Sequence, residues 1–335
     1  MRSDKINIVD TTLRDGSHAV SHSFTVEQVT AIAAGLDKAG VDMIELSHGD
    51  GIAGSSINYG FSKVSEMDLL EAAGKVIKKA KLAVLLLPGV GTIEDLKKAK
   101  ERGANAVRVA THVTEADIAI QHIGWAKQNG MFTVGFLMMT HMASPEKIVE
   151  QAKIFVDAGA DYINLADSAG YMIPEDVKQR VGALRNAISL PVGFHAHNNI
   201  GMAIANALAA IEEGANFIDG TCRGLGAGAG NAQIEVLCAV LKRLGYNIGA
   251  DIYAMMDVAE DIVEPIMQRP QTIRTDSVML GFAGVYSSFL LHTRKAAEKF
   301  GLVPRDILVE LGKRRMVGGQ EDMIVDVAYE LSKKK

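Results

Sequence analysis

The chain has 335 residues, of which 48% are hydrophobic, and a formal net charge of −5 at pH 7. That length and apolar content suffice for one barrel-sized domain with an appendage or for two domains, and the net charge gives no reason to expect a nucleic-acid partner. The apolar runs are of strand length rather than the ~20 residues of a membrane span, so we expect no membrane attachment. No targeting segment precedes Ile6 and two cysteines are too few for a disulfide framework, so we expect a cytoplasmic protein with reduced thiols.

Four glycines recur along the chain at similar intervals and define a weak internal repeat. Each closes a helical pattern and opens an apolar run: Gly40, Gly103, Gly159 and Gly214. Glycine suits the left-handed position just past the end of a helix. Another strand and helix fit between successive glycines, so the repeat is a pair of βα units.

Eight strand-like runs follow one another in chain order, at residues 6–10, 43–46, 82–87, 106–110, 132–137, 162–165, 192–195 and 217–218. Helix-length segments lie between them, and one begins at Ser144-Pro145, a cap followed by a proline in the first turn. Eight alternating units predict a (β/α)8 TIM barrel, whose active site lies at the carboxyl ends of the strands. The alternative is a doubly wound open sheet, which would leave the first and last strands far apart.

Beyond about residue 265 the alternation of strands and helices stops. Three helical segments are predicted around residues 287–300, 304–315 and 320–332, and a closed barrel cannot extend to include them. We therefore predict a catalytic barrel domain at 1–265 and a small all-helical domain at 266–335, serving stability, dimerisation or gating. Gly281 and Gly284 are interpreted as a hinge-like segment that could place Tyr286 at the active site.

A pair of histidines, His195 and His197, ends the seventh predicted strand. Residues i and i+2 of a strand point to the same face, which is how a strand presents two nitrogen ligands to one metal ion. In a closed barrel the first strand lies next but one to the seventh, so Asp15 can converge with both histidines to form an open three-ligand site. The alternative interpretation is a pair of structural histidines and a surface ion pair between Arg14 and Asp15.

Further polar residues follow other strand ends, and we expect most of them to support loops or orient the ligands. They are Glu45, His48, Asp50, Thr111, His112, His141, Asp167 and Ser168. The glycine-rich run at 224–231 only superficially resembles a dinucleotide fingerprint, because it follows the last strand of the repeat. We interpret it as a loop whose backbone approaches the active-site rim closely, with phosphate or carboxylate binding as the alternative.

Several motifs carry a family resemblance over the whole chain. Residues 10–16 (DTTLRDG) and 195–199 (HAHNN) resemble the metal-dependent superfamily of hydroxymethylglutaryl-CoA lyases and isopropylmalate synthases. Residues 16–18 (GSH), 48–51 (HGDG), 284–289 (GVYSSF) and 317–323 (VGGQEDM) resemble the 4-hydroxy-2-oxovalerate aldolase family within it. The synthases usually have Glu-Gln where this chain has Ser17-His18, and that difference separates an aldolase from a condensing enzyme.

The resemblance implies a metal-dependent, class II retro-aldol cleavage of 4-hydroxy-2-oxopentanoate to pyruvate and acetaldehyde. It implies a divalent metal, most often Mn²⁺ with Mg²⁺ or Co²⁺ possible, on Asp15, His195 and His197. It further implies His18, Arg14 and Tyr286 as catalytic residues, and Arg14, Ser168, His195 and Tyr286 as contacts of the substrate. An acylating acetaldehyde dehydrogenase is the implied partner, joined in a hetero-oligomer and receiving the aldehyde through a channel.

The residue types agree with that chemistry. Cleavage leaves a pyruvate enolate, whose charge a Lewis-acidic metal and the Arg14 guanidinium can stabilise. His18 has a suitable unperturbed pKa to accept the 4-hydroxyl proton near neutral pH. An acyl-CoA condensing enzyme or lyase of the same superfamily, an iron(II) oxygenase and a non-catalytic scaffold subunit remain as alternatives.

Overall fold

A computed structural model describes residues 5–334 of the chain. Residues 1–4 and Lys335, which the predicted domains include, lie outside the described residues. Eight parallel strands close into a barrel because β1 pairs with both β2 and β8. They are β1 Lys5–Asp10, β2 Met43–Glu45, β3 Lys81–Leu86, β4 Ala106–His112, β5 Phe132–Met138, β6 Tyr162–Asp167, β7 Val192–Ala196 and β8 Phe217–Gly220. The predicted TIM barrel is confirmed.

Helices connect the strands on the outside of the barrel: α1 Val26–Ala39, α2 Glu66–Val76, α3 Ile93–Glu101, α4 Ile120–Gln128, α5 Pro145–Ala158, α6 Pro174–Ala187, α7 Ala203–Glu212 and α8 Ile234–Arg243. Helix α5 begins as predicted, with the Ser144 hydroxyl accepting a hydrogen bond from the backbone N–H of Lys147. The four repeat glycines all have left-handed backbones, with φ between 85° and 107°. Each therefore lies one or two residues past the end of a helix, in the conformation that the repeat predicted.

Side chains alternate between two hydrophobic layers along each strand. Ile8 packs outward in the large cluster between the barrel and its helices. Its neighbour Val9 points into the barrel, where it packs with Met43 and Tyr162 in a separate interior cluster. This period of two fills the barrel with side chains, so the site can form only at the open carboxyl end.

The barrel is followed by a two-residue strand β9, Asn247–Ile248, which pairs with the start of β1, and by helix α9, Ile252–Asp257. Four more helices, α10 Thr275–Ala283, α11 Phe289–Phe300, α12 Pro304–Lys313 and α13 Met323–Ser332, share a hydrophobic cluster of their own. Within residues 5–334 no helix is both long and apolar enough to cross a membrane.

The C-terminal region has one helix more than the three that were predicted. The interpretation of Gly281 as part of a hinge was wrong. Gly281 lies inside α10, where an added Cβ would come within 2.6 Å of the Ile200 side chain and 2.7 Å of the Gly170 carbonyl oxygen. The glycine thus permits a close contact between α10 and the barrel rather than a bend. Gly284 does end the helix in a left-handed conformation, with φ of 66°.

Candidate active site

Three ligand-type side chains converge at the carboxyl end of the barrel. Asp15 opens a short 3-10 helix directly after β1, while His195 lies in β7 and His197 follows it. The Nε2 atoms of His195 and His197 each lie 3.7 Å from Asp15 Oδ2. Nitrogen and oxygen atoms at such separations can all contact one ion at bond lengths of about 2.0–2.2 Å. The three residues could therefore hold a divalent metal ion.

The two oxygens of Asp15 have different surroundings. Oδ1 accepts hydrogen bonds from the backbone N–H of Ala227 at 3.1 Å and from Asn231 Nδ2 at 3.0 Å. Oδ2 accepts from the Arg14 guanidinium at 2.6 Å and faces the two histidines. Burial alone would raise the pKa of Asp15, but the adjacent Arg14 guanidinium holds it well below its ordinary value. Asp15 is therefore ionised, with one oxygen directed at the candidate metal position.

The glycine-rich run contributes to this orientation through its backbone. An added Cβ on Gly226 would lie 2.6 Å from Asp15 Oδ1, so only glycine lets the run pass so close. The predicted close approach of residues 224–231 to the active-site rim is confirmed. The run donates a backbone N–H to a carboxylate of the protein itself.

Both histidines are oriented to present Nε2 to a metal ion. His195 Nδ1 lies 3.0 Å from Asp219 Oδ2, which fixes the ring and leaves Nε2 to face Asp15. Burial lowers the pKa of His197 to about 3, so this ring carries no proton charge near neutral pH. His197 Nδ1 is a buried atom without a hydrogen-bond partner among the described residues.

A chain of buried charges joins the two ends of the site, and two of its members were missed by sequence reasoning. Arg108 on β4 pairs with Asp219 on β8, and its Nη1 lies 3.1 Å from Glu45 Oε2. Glu45 in turn accepts from Arg14 Nε at 2.7 Å. All are buried, so the network links Arg14 to His195 through the barrel interior. A charged residue inside an apolar strand, as in residues 106–110 (AVRVA), was the signal that could have found Arg108.

His18 ends the same short helix that Asp15 opens. Burial lowers the pKa of His18. The Asp15 charge raises this pKa in part, and the Arg14 charge lowers it further. The ring lies so close to Gly49 that any side chain there would collide with it. His18 is therefore a neutral imidazole beside the candidate metal position, where a proton acceptor would be needed.

Tyr286 and Ser168 lie on the other side of the site. The Tyr286 hydroxyl lies 3.8 Å from Met138 Sδ, and burial together with the Asp50 charge raises the pKa of this phenol. Ser168 Oγ accepts from the backbone N–H of Met139 at 3.0 Å. The Ser168 carbonyl accepts from the Ser287 hydroxyl at 2.7 Å, which ties the barrel rim to the helical region. Tyr286 therefore remains a hydroxyl donor, and the Ser168 hydroxyl keeps its own proton to donate.

Two cavities meet at this end of the barrel. A polar one of about 320 Å³ is lined by His18, His22 and Asp50, and a more apolar one of about 240 Å³ by Met138 and Tyr286. Both reach Asp50, Tyr59 and Glu321.

Other rim residues have local partners, as the sequence indicated for most of them. Asp167 accepts from the backbone N–H groups of Tyr171 and Met172. His141 Nε2 lies 3.1 Å from the Gly284 carbonyl oxygen, at the junction with the helical region. These contacts shape the loops around the site.

Comparison with known proteins identifies the family. The HMGL-like family matches residues 5–262, which include every strand of the barrel. A second match, to the DmpG-like communication domain, covers residues 271–333. The chain is 70% identical over its whole length to a 4-hydroxy-2-oxovalerate aldolase of Moorella thermoacetica, of which the match covers 99%. The chain belongs to the 4-hydroxy-2-oxovalerate aldolase family.

This assignment confirms the resemblance that the motifs indicated, and it makes the chain a carbon–carbon lyase. A 4-hydroxy-2-oxovalerate aldolase of Carboxydothermus hydrogenoformans is 62% identical over 98% of this chain and 98% of its own length. The carboxyl transferase domain of Rhizobium etli pyruvate carboxylase, solved with pyruvate and biocytin, superposes with a TM-score of 0.84. That match covers 99% of this chain and 61% of the other, and at 16% identity it shows a shared fold alone.

Proposed function

We propose that this aldolase cleaves 4-hydroxy-2-oxopentanoate to pyruvate and acetaldehyde at the site around Asp15. The observation that carries the proposal is the convergence of Asp15, His195 and His197 beside Arg14 and a neutral His18. Ligands, a fixed cation and a proton acceptor are what a retro-aldol reaction through an enolate requires.

Asp15, His195 and His197 would hold the divalent ion, for which Mn²⁺ is our first choice and Mg²⁺ or Co²⁺ are alternatives. The ion, when bound, supplies positive charge that stabilises the developing enolate as a Lewis acid. The donor set fits, because each histidine directs Nε2 at the same carboxylate oxygen.

Arg14 is the group best placed to hold the oxo-acid oxygens. Its Nε and Nη1 donate to Glu45 and Asp15, and within residues 5–334 no acceptor is bonded to Nη2. The guanidinium is thus held in one orientation with N–H donors left for the substrate. Its fixed charge is in position before negative charge develops on the pyruvate fragment.

His18 would accept the proton of the 4-hydroxyl group. The C3–C4 bond then breaks, its electron pair moves to the pyruvate fragment as the enolate, and the 4-hydroxyl carbon leaves as the aldehyde. Protonation of the enolate at C3 gives pyruvate, and loss of the proton from His18 restores the neutral base. Tyr286 would position the substrate through its hydroxyl, and the Ser168 hydroxyl would contact the pyruvate portion. His195 would contact the substrate as well as the ion.

We further propose a domain boundary near residue 265, a cytoplasmic location, and an acylating acetaldehyde dehydrogenase as partner in a hetero-oligomer. Separate hydrophobic clusters and the communication-domain match support the boundary and an interaction role for the helical region. The apolar cavity beside Met138 and Tyr286 offers a route for a small aldehyde toward that partner. Phe282 on α10 is 72% exposed and offers an apolar contact.

One assay tests the reaction directly. Pyruvate release from 4-hydroxy-2-oxopentanoate is measured with Mn²⁺ and again after chelation. We expect turnover that stops with the chelator and returns with the metal. No turnover of any 4-hydroxy-2-oxoacid with Mn²⁺ supplied would favour the scaffold interpretation.

The partner is tested by co-purification with the dehydrogenase. Phe282→Glu should abolish the complex, whereas Phe61→Glu, which changes a 65% exposed phenylalanine of the barrel, should not. Equal recovery with both variants would contradict the proposed surface.

A further inference from the structure

Asp50 is a buried carboxylate that lacks a hydrogen-bond donor. It is 5% exposed, and no residue in the described part of the chain donates a hydrogen bond to its side chain. A buried carboxylate without a partner is unfavourable, because its charge has lost its hydration. Burial accordingly raises the pKa of Asp50 to about 6. The Arg14 charge offsets part of this rise, but among the described residues His48 is the only group close enough to Asp50 to form an ion pair.

His48, the nearest neighbour, does not supply a positive charge. Its Nδ1 accepts the backbone N–H of Asp50 at 3.2 Å, and its Nε2 lies 3.0 Å from the Gly60 carbonyl oxygen. The proton of the neutral ring is therefore on Nε2. Nδ1 consequently turns a lone pair toward Asp50 Oδ2, 3.6 Å away. Burial lowers the pKa of His48 to about 4, so the ring stays neutral.

Two other imidazoles complete the surroundings of Asp50. One nitrogen each of His18 and His22 and one oxygen of Asp50 all lie within 4.8 Å of one another. These atoms belong to a group separate from the Asp15 centre, and they line the polar cavity through which ions can reach them. Two imidazole nitrogens and a carboxylate oxygen are a donor set for Zn²⁺ and its neighbours in the transition series.

The position of His22 is held by several contacts. Its Nδ1 lies 3.0 Å from Ser17 Oγ, and its ring stacks on His48 with 3.7 Å between centroids. His22 and Ser21 both have left-handed backbones, with φ of 54° and 52°. Two consecutive non-glycine residues in this region are costly and are retained where the fold requires a particular side-chain position. The fold thus holds His22 against His18 and Asp50.

We propose that His18, His22 and Asp50 form a second divalent-cation site, selective for Zn²⁺, whose occupation inhibits the aldolase. The ion would be bound by the His18 lone pair that otherwise accepts the 4-hydroxyl proton. This inhibitory role therefore rests on the proposed function. The binding site itself does not depend on that function.

Zinc stoichiometry tests the site without measuring activity. The purified chain is equilibrated with Zn²⁺, and bound zinc is counted by elemental analysis and titration calorimetry. We expect two ions for the wild type and one each for His22→Asn and His197→Ala. Asparagine is chosen because it tolerates a left-handed backbone better than most residues. A single zinc ion in the wild type, or two in His22→Asn, would overturn the proposal.

Inhibition tests the role of the site. Zn²⁺ is added to the Mn²⁺-loaded enzyme, and we expect His22→Asn to keep its basal activity while its inhibition constant rises at least 100-fold. Equal inhibition of both proteins would mean displacement of Mn²⁺ from Asp15 and would overturn the inhibitory role. Two bound zinc ions with full activity would keep the site, overturn its inhibitory role and count against His18 as the base.

Discussion

At the residue scale, each histidine of the Asp15 centre turns Nε2 toward the same carboxylate oxygen, so we expect each to be one of three metal ligands. His197→Ala should fold yet lose the Mn²⁺ that we propose at this centre, with the affinity of the first bound equivalent reduced at least 100-fold. Manganese titration followed by electron paramagnetic resonance measures that affinity. The control is His122→Asn, which changes a buried histidine of α4. An unchanged first affinity in His197→Ala would contradict the ligand assignment.

His18→Ala should lower turnover by about 10²- to 10⁴-fold, the usual contribution of a general base. A base must be neutral to accept a proton, so activity falls as the pH drops through its pKa. Burial lowers the pKa of His18, so this acidic limb lies below pH 6.5 in the wild type and should be missing in the variant. The pH dependence of kcat/KM measures it. An acidic limb that survives the substitution would assign the base to another group.

The positions of the three proposed ligands could be predicted because their signal is local. Period two in a strand puts His195 and His197 on one face, and barrel closure brings Asp15 to them. Arg108 and Asp219 could not be predicted in the same way, because their pairing joins positions 111 residues apart. His22 carries no local signal of its own, since the left-handed backbone at Ser21 and His22 is one that these residue types seldom adopt.

At the element scale, the buried network connects β4 and β8 beneath the site. Asp219→Asn leaves Arg108 without its main counter-ion and gives His195 a weaker acceptor. We expect a loss of about 3–5 kcal/mol in the free energy of unfolding, as for a broken buried pair. We also expect Mn²⁺ affinity to fall about 10- to 100-fold. Urea unfolding and metal titration measure the two effects.

The matched control is Glu71→Gln, which breaks an exposed pair with Arg102. Glu71→Gln should lower the free energy of unfolding by at most about 1 kcal/mol and leave metal binding unchanged. Asp219→Asn with normal metal affinity would reduce the network to a purely structural role.

Gly281 tests how α10 packs on the barrel. Gly281→Ala places a Cβ 2.7 Å from the Gly170 carbonyl oxygen, a backbone atom that cannot rotate away. We expect destabilisation of about 1–3 kcal/mol from overpacking, measured by urea unfolding. In contrast, Gly124→Ala within α4 meets nothing within 4 Å and should stabilise by about 0.5–1 kcal/mol. Stabilisation by both variants would contradict the close contact.

The strands were predictable as elements because each is a short apolar run bounded by glycine or polar residues. Their ends shifted by no more than two residues, since backbone pairing extends β4 and β6 into polar residues such as His112 and Asp167. Helix α10 was missed because Gly281 interrupts its pattern. The glycine is needed for a tertiary contact with Ile200 and Gly170, which the local sequence does not reveal.

At the scale of the whole molecule, a bound ion would join the first and seventh strands. A ligand that binds only the folded state raises the free energy of unfolding by about 2.7 kcal/mol when its free concentration is 100 times its Kd. Chelation should therefore lower the melting temperature of the wild type, measured by scanning calorimetry. With Mn²⁺ as the only metal supplied, His197→Ala should melt at one temperature with or without chelator. A wild type insensitive to chelation would contradict a metal site that spans the barrel.

Barrel closure also sets an order of events during synthesis. Thr11 bonds to Gly220, a partner 209 residues later in the chain. At ribosomal rates of about 5–20 residues per second, the first strand waits about 10–40 s before that edge can be paired. During this interval Asp15 lacks the two histidines that it meets in the finished barrel. Capture of a metal ion at this centre would thus be a late event, and the nascent chain must begin to fold without it.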